Sequence, residues 1–275
     1  MFKIYDLNMK ELPFPEGVKP LDIFVSSVNK RRLTEEFEGR SGTLNYGYDY
    51  GERSVDLSLW LEAHDTIDYR LIRNELYAFF DAHDVFYIEE TRVPSRVLKV
   101  TIDESYIPER INQTHSSVEI SCRTLDSVFW ESKYTTLELH DSGYSATAEK
   151  YGLVDNIDDE KVKYRFTENT FTVYNAGNVT VEPESMMLYI RASSLYSTGN
   201  FTIRNKTTGE EIILNRSSEG SHFTIDGMVI SLGGITNIFR DTNRRFISLV
   251  PGDNDFEVLN GTFSEIRFVF KFLYK

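Results

Sequence analysis

The chain has one cysteine, Cys122, and two tryptophans, Trp60 and Trp130, in 275 residues. A lone cysteine excludes an internal disulfide and suits assembly in a reducing cytoplasm. No apolar run approaches the roughly 20 residues that a membrane-crossing helix needs. The opening Met-Phe-Lys-Ile-Tyr-Asp lacks the apolar core of an export signal, so the expectation is a protein outside the general secretory route. Basic surplus is missing as well: 43 acidic residues face 30 basic ones, for a net charge of −13, and neither half of the chain is basic. A nucleic-acid partner, whose phosphates need a cationic face, is not expected.

Catalytic patterns are also absent. There is no Gly-x-Ser-x-Gly elbow, phosphate-binding loop or dinucleotide fingerprint. The five histidines, at 64, 83, 115, 140 and 222, have neither the i, i+4 nor the His-x-His spacing that would converge on zinc. Cys122 as a nucleophile would need an electropositive setting and a histidine base, and His115, an odd number of residues away on a strand, points to the other face. Asp253, Asp255 and Glu257 alternate and can line one strand face, a set that could offer oxygen to calcium but that more commonly forms a solvated surface. The expectation is a non-enzyme with no cofactor and no metal.

What is present is β-sheet material. The 16 tyrosines and 19 phenylalanines suit short, half-buried strands. The length favours two domains, and patterning places them at 1–133 and 166–275, with 134–165 as linker and domain entry.

The segment Phe37–Leu61 reads as a glycine-punctuated turn, with Gly39, Gly42, Gly47 and Gly51, feeding a strand in which Val55, Leu57, Leu59 and Leu61 form one face. Before it, Pro13, Pro15, Gly17 and Pro20 predict an extended arm or edge strand, and Asn29-Lys30-Arg31-Arg32 next to Glu35, Glu36 and Glu38 predicts one solvated surface. A helix is expected from Asp65 or Thr66 to about Asp81, with Ile67, Leu71, Ile72, Leu76, Phe79 and Phe80 as its apolar stripe. Leu98, Val100 and Ile102, then Val118, Ile120 and Cys122, alternate as strands. These elements make the first domain α+β, a barrel or sandwich with one helix near 65–81.

From Phe166 onward short strands recur at roughly ten-residue spacing without helices, ending in Ile266, Phe268, Phe270, Phe272 and Tyr274 on one face; this predicts a β-sandwich or jelly roll. The Asn-x-Ser/Thr triplets at Asn112, Asn178, Asn200, Asn205, Asn215 and Asn260 fit turn composition. Carbohydrate recognition by the second domain needs an aromatic platform. Both tryptophans fall in the first domain, which leaves Tyr144, Tyr151, Tyr174, Tyr189 and Tyr196 as candidates.

Gly39-Arg40-Ser41-Gly42 and Tyr50-Gly51-Glu52-Arg53 resemble the signature near the start of the distal tail proteins of long-tailed bacteriophages. Further stretches resemble the same family in order: the helix followed by Pro94-Ser95-Arg96, Ile120 to Trp130, Val173 to Asn178 before Glu182-Pro183, Phe223 to Gly227, and Leu249 to Asn254. Where many relatives carry Asp-Pro, this chain has Asp126-Ser127. The resemblance covers nearly the whole chain. It implies a mostly β protein whose N-terminal domain builds a hexameric ring and whose C-terminal domain is a galectin-like sandwich. It further implies a structural virion protein at the tail tip, assembled in the bacterial cytoplasm. Such a ring caps the tail tube and is the hub for tape measure, tail-tip and receptor-binding components. Arg40, Arg53 and Trp60 are the candidates for subunit contacts. The alternative reading is a carbohydrate-binding adhesion module acting on a host cell wall.

Overall fold

Period-two patterning dominates the chain, and strands follow from it in two separate units. The computed structural model describes residues 1–39, 41–142 and 159–275. The units are Met1–Trp130 with Lys275, and Glu131–Tyr274.

In chain order the first unit contains β1 (Phe2–Tyr5), β2 (Glu11–Leu12), β3 (Val18–Val25), β4 (Asn29–Glu36), β5 (Thr43–Gly51), β6 (Ser54–Glu62), α1 (Thr66–Ala82), β7 (Val85–Glu90), β8 (Arg96–Ile102), β9 (Glu109–Arg110) and β10 (His115–Thr124). Its main sheet runs β2-β1-β7-β8-β10-β6-β3 with β9 beside β10, and the pairings are antiparallel. Val55, Leu57, Leu59 and Leu61 are fully buried, as the alternation predicts, and so are Val118, Ile120 and Cys122 on the neighbouring β10. Each large side chain removed from water here contributes about 1.5–3 kcal/mol. The arm expected at the N-terminus is partly corrected: β3 is an edge strand, with Pro20 at a bulge where a missing ladder donor does no harm, but β1 lies inside the sheet between β2 and β7 with Phe2 and Ile4 in the core.

Helix α1 starts where the sequence places it. Asp65 caps it by accepting from the N–H groups of Ile67 and Asp68 at 2.7 and 2.8 Å, and Asp68 in turn accepts from the His64 N–H at 2.8 Å. The apolar stripe needs correction. Tyr69, Ile72, Leu76 and Phe80 are buried, whereas Ile67 and Leu71 are 71% and 56% exposed. At 100° per residue Leu71 sits about a quarter-turn from Ile72, off the face that meets the sheet.

The second unit is a sandwich. After β11 (Trp130–Ser132), residues 136–142 are helical, with Thr136 and Leu139 buried. Residues 143–158 of the expected linker lie outside the described residues, and just beyond them Val162 and Tyr164 are buried. The strands that follow are β12 (Arg165–Phe166), β13 (Thr170–Asn175), β14 (Leu188–Ser197), β15 (Phe201–Asn205), β16 (Glu210–Leu214), β17 (Ser218–Asp226), β18 (Val229–Leu232), β19 (Ile235–Thr236), β20 (Gly252–Leu259), β21 (Glu265–Phe270) and β22 (Leu273–Tyr274). One sheet has the order β12-β21-β14-β17-β18-β19 and the other β13-β20-β15-β16. Phe171, Phe256 and Phe268 cluster between them, with ring centroids 4.9–5.8 Å apart; Phe171 stacks on Phe256, and Phe268 meets both at an angle. The last strand is shorter than the alternation implies: β21 ends at Phe270, although Phe272 and Tyr274 remain buried beyond it.

Candidate assembly interface

Residues 43–51 are not the turn that their glycines suggest. They form β5, which pairs antiparallel with β4 from Asn29↔Gly51 to Glu36↔Thr43. Gly39 and Gly42, both at positive φ, lie in the connection, and Gly47 at φ +111° lies in β5 beside the register shift opposite Arg32–Thr34. The hairpin is a sheet of its own, and no residue of either strand is buried. Two strands without a packed face are marginal in water, and two open edges invite pairing with another chain.

What stiffens the hairpin is its own side-chain chemistry. Lys30 Nζ lies 4.5 Å from the Tyr48 ring centre, the Tyr46 hydroxyl donates to Glu35 at 3.0 Å, and Arg31 approaches Asp49 at 3.9 Å. The rings of Tyr48 and Tyr50 meet edge to face at 5.4 Å, and Tyr50 meets Phe129 the same way at 5.1 Å, which anchors the root. A hydrogen bond from Tyr48, helped by the positive charge of Lys275 and Lys30, holds the Tyr50 phenol below its ordinary range. Charge divides along the hairpin. Lys30, Arg31 and Arg32 sit near the root, and Glu35, Glu36 and Glu38 near the tip.

Arg53 follows immediately, but as an internal strut. It is 5% exposed; its Nε donates to the Ser26 carbonyl at 2.7 Å and Nη1 to the Val128 carbonyl at 3.3 Å. Burial lowers the pKa of its guanidinium. Little of its surface is left for another subunit. Trp60 is half-buried on the sheet face opposite the core, 5.7 Å from the His115 ring, beside the Lys19–Glu62 ion pair. Arg40 lies outside the described residues. Of the two described positions, Arg53 is enclosed just before β6 and Trp60 lies half-buried toward the far end of that strand, beside His115. The signal that does mark the hairpin in the sequence is the composition of Asn29–Glu36, in which Leu33 is the one apolar residue and no apolar face could pack.

The other sequence candidates have local partners. Asp253 pairs with Lys161 at 2.7 Å, Asp255 accepts from the Thr172 hydroxyl at 2.7 Å, and Glu257 approaches Arg204 at 3.6 Å. No metal-holding group of three or more ligands occurs among the described residues. Cys122 is buried, and burial pushes its thiol up to about 12, far from the range of a nucleophile at neutral pH.

Residues 15–122, from just before β3 into β10, match the family model of the phage tail protein RIFT-related domain. Comparison with curated protein sequences finds no match. Among solved structures, the chain is similar to the Dit (gp 19.1) protein of phage SPP1, described as a paradigm of hub adsorption apparatus in phages infecting Gram-positive bacteria. Identity is 12%, the TM-score is 0.67, and the match covers 99% of this chain and 100% of that one. Two chains of the phage p2 baseplate in its activated conformation, with strontium and with calcium, match at 9% and 10% identity and TM-scores of 0.42 and 0.43, each over 98% of this chain and 97% of that one. Residues 15–122 are thus similar to a phage tail domain, and along its whole length the chain has the fold of the SPP1 Dit protein.

Proposed function

We propose that this protein is a non-enzymatic hub that closes into a six-fold ring at the end of the phage tail tube. In that position it joins tail tube, tape measure, tail-tip and receptor-binding components, and reaches the virion tail tip after assembly in the host cytoplasm. The observation that carries the reading is the β4–β5 hairpin, a two-stranded sheet with no buried residue in a stretch similar to a phage tail domain. A neighbouring copy supplies what such a hairpin lacks, a surface to lie on. A cationic root and an acidic tip suit a head-to-tail contact, in which one copy's tip meets another copy's root, the heterologous geometry that closes rings. Trp60 and the undescribed Arg40 are the remaining candidates for that contact.

Mass measurement tests the reading. Six copies of a 31.9 kDa chain give a particle of about 190 kDa. Analytical ultracentrifugation and native mass spectrometry are expected to find it, with a central opening in electron micrographs. A strict monomer at high concentration, alone and mixed with the tail tube protein, would overturn the ring.

A further inference from the structure

Of the five tyrosines that could serve as an aromatic platform in the second unit, Tyr144 and Tyr151 lie outside the described residues, Tyr174 has Lys161 5.1 Å from its ring centre, and Tyr189 has Arg267 at 5.6 Å. Tyr196 differs. It is 57% exposed and stands at the end of β14, just past the bulge where the register with β17 shifts between Ala192 and Leu195 and again before Tyr196. Its backbone is fixed from the other side by reciprocal bonds with Thr262, at 2.8 and 2.9 Å. Its hydroxyl lies over Gly220, which has φ +80°; a Cβ there would come within 2.8 Å of the Tyr196 oxygen. A glycine thus makes room for the phenol and sets the ring's direction.

The ring borders a depression of about 490 Å³ whose wall carries Thr198, Ser217, Glu219, Asn260 and Thr262. Thr198, Ser217, Glu219, Asn260 and Thr262 are all exposed at its rim. The Asn260 amide is oriented by donating to the Asn200 carbonyl at 3.0 Å, and the Ser197 hydroxyl donates to the Asn260 carbonyl at 2.6 Å. The lining therefore combines one flat aromatic face, several hydroxyls, one amide and one carboxylate, and among the described residues it includes no lysine or arginine.

From this arrangement we infer that the depression beside Tyr196 is a binding site for a neutral saccharide. A pyranose offers an apolar C–H face to an aromatic ring and a rim of hydroxyls to amide, carboxylate and hydroxyl partners, and a pocket needs only a few such polar groups to fix orientation. An anionic ligand such as a polyol phosphate would meet the Glu219 carboxylate with no lysine or arginine in the described lining to offset it. The inference is independent of the ring, since it concerns one unit of one copy.

Saturation-transfer NMR on the full chain tests it, with methyl glucoside, methyl galactoside and N-acetylglucosamine as probes and glycerol phosphate as the anionic control. Transfer to the ring C–H protons of at least one pyranose is expected. Tyr196→Ala should weaken that binding about tenfold, while Tyr196→Trp keeps it. Melting curves of both variants should match the parent, because the side chain is exposed, so a lost signal is not lost folding. Transfer to none of the three sugars, signals unaffected by Tyr196→Ala, or transfer to glycerol phosphate alone would each overturn the proposal.

Discussion

Arg53 and Thr124 hold each other by two hydrogen bonds: the Arg53 N–H donates to Thr124 Oγ1 at 2.9 Å, and the Thr124 N–H donates to the Arg53 carbonyl at 3.0 Å. The end of β10 is thereby tied to the residue that enters β6. Because the same arginine's guanidinium reaches the Ser26 and Val128 carbonyls, one residue joins three segments at the root of the hairpin.

Replacing this arginine should therefore act on folding. Arg53→Ala removes two charge-assisted bonds and strands two half-buried carbonyls, which should cost the first unit about 2–4 kcal/mol, read by urea denaturation followed through Trp60 and Trp130 fluorescence. Arg53→Lys should fare little better, since one ammonium cannot span both carbonyls in the guanidinium's fork. Unchanged stability with a changed oligomeric mass would instead mean that the residue serves subunit contact.

Charge reversal at the hairpin tip should do the opposite. Glu35→Lys, Glu36→Lys and Glu38→Lys change only exposed positions, so the combined variant should melt with the parent to within about 0.5 kcal/mol per site. Its particle mass should fall. If the acidic tip meets the cationic root of a neighbour, adding Arg31→Glu and Arg32→Glu should restore part of the assembly, as scored by sedimentation.

Cys122 should be silent toward thiol reagents. Its folded pKa stands near 12 against an ordinary 9.0, raised first by burial and then by Asp56 and Asp103. The folded state holds the proton more tightly than the unfolded chain, so this group's contribution to stability is complete below pH 9 and declines as pH rises from there toward 12. Mass spectrometry after iodoacetamide at pH 8 should show no adduct on the native protein and one per chain in denaturant.

Asn254 is the buried polar centre of the second unit. Its amide donates to the carbonyls of Val250 and Gly252 at 2.8 and 3.2 Å, and its oxygen accepts from the Val250 N–H at 3.0 Å and the Asn205 amide at 3.2 Å. Asn254→Ala should destabilise that unit by about 2–4 kcal/mol in denaturation, because several partners lose their bonds inside the protein. Asp253→Ala, one residue away and exposed, should cost under about 1 kcal/mol.

Local pattern determined much of this protein. Val55–Leu61 and Val118–Cys122 declare their buried face by strict alternation, and Asp65 declares the helix start through the spacing of its two N–H partners, because these rest on periodicities of the backbone itself. The tertiary structure alone decided the rest. Pairing partners are not written in a strand, so β1 could be read as a free arm until its place between β2 and β7 put Phe2 in the core. The glycines of 39–51 signalled a turn, yet only pairing with Asn29–Glu36 made Thr43–Gly51 a strand. Arg53 looked like surface because charge favours water, and burial became tolerable only once distant carbonyls, at Ser26 and Val128, arrived to satisfy it. Likewise no neighbour in sequence marks Tyr196; its exposure and its hydroxyl-rich surroundings arise from three segments, around 196, 219 and 260, that meet only in the folded sandwich.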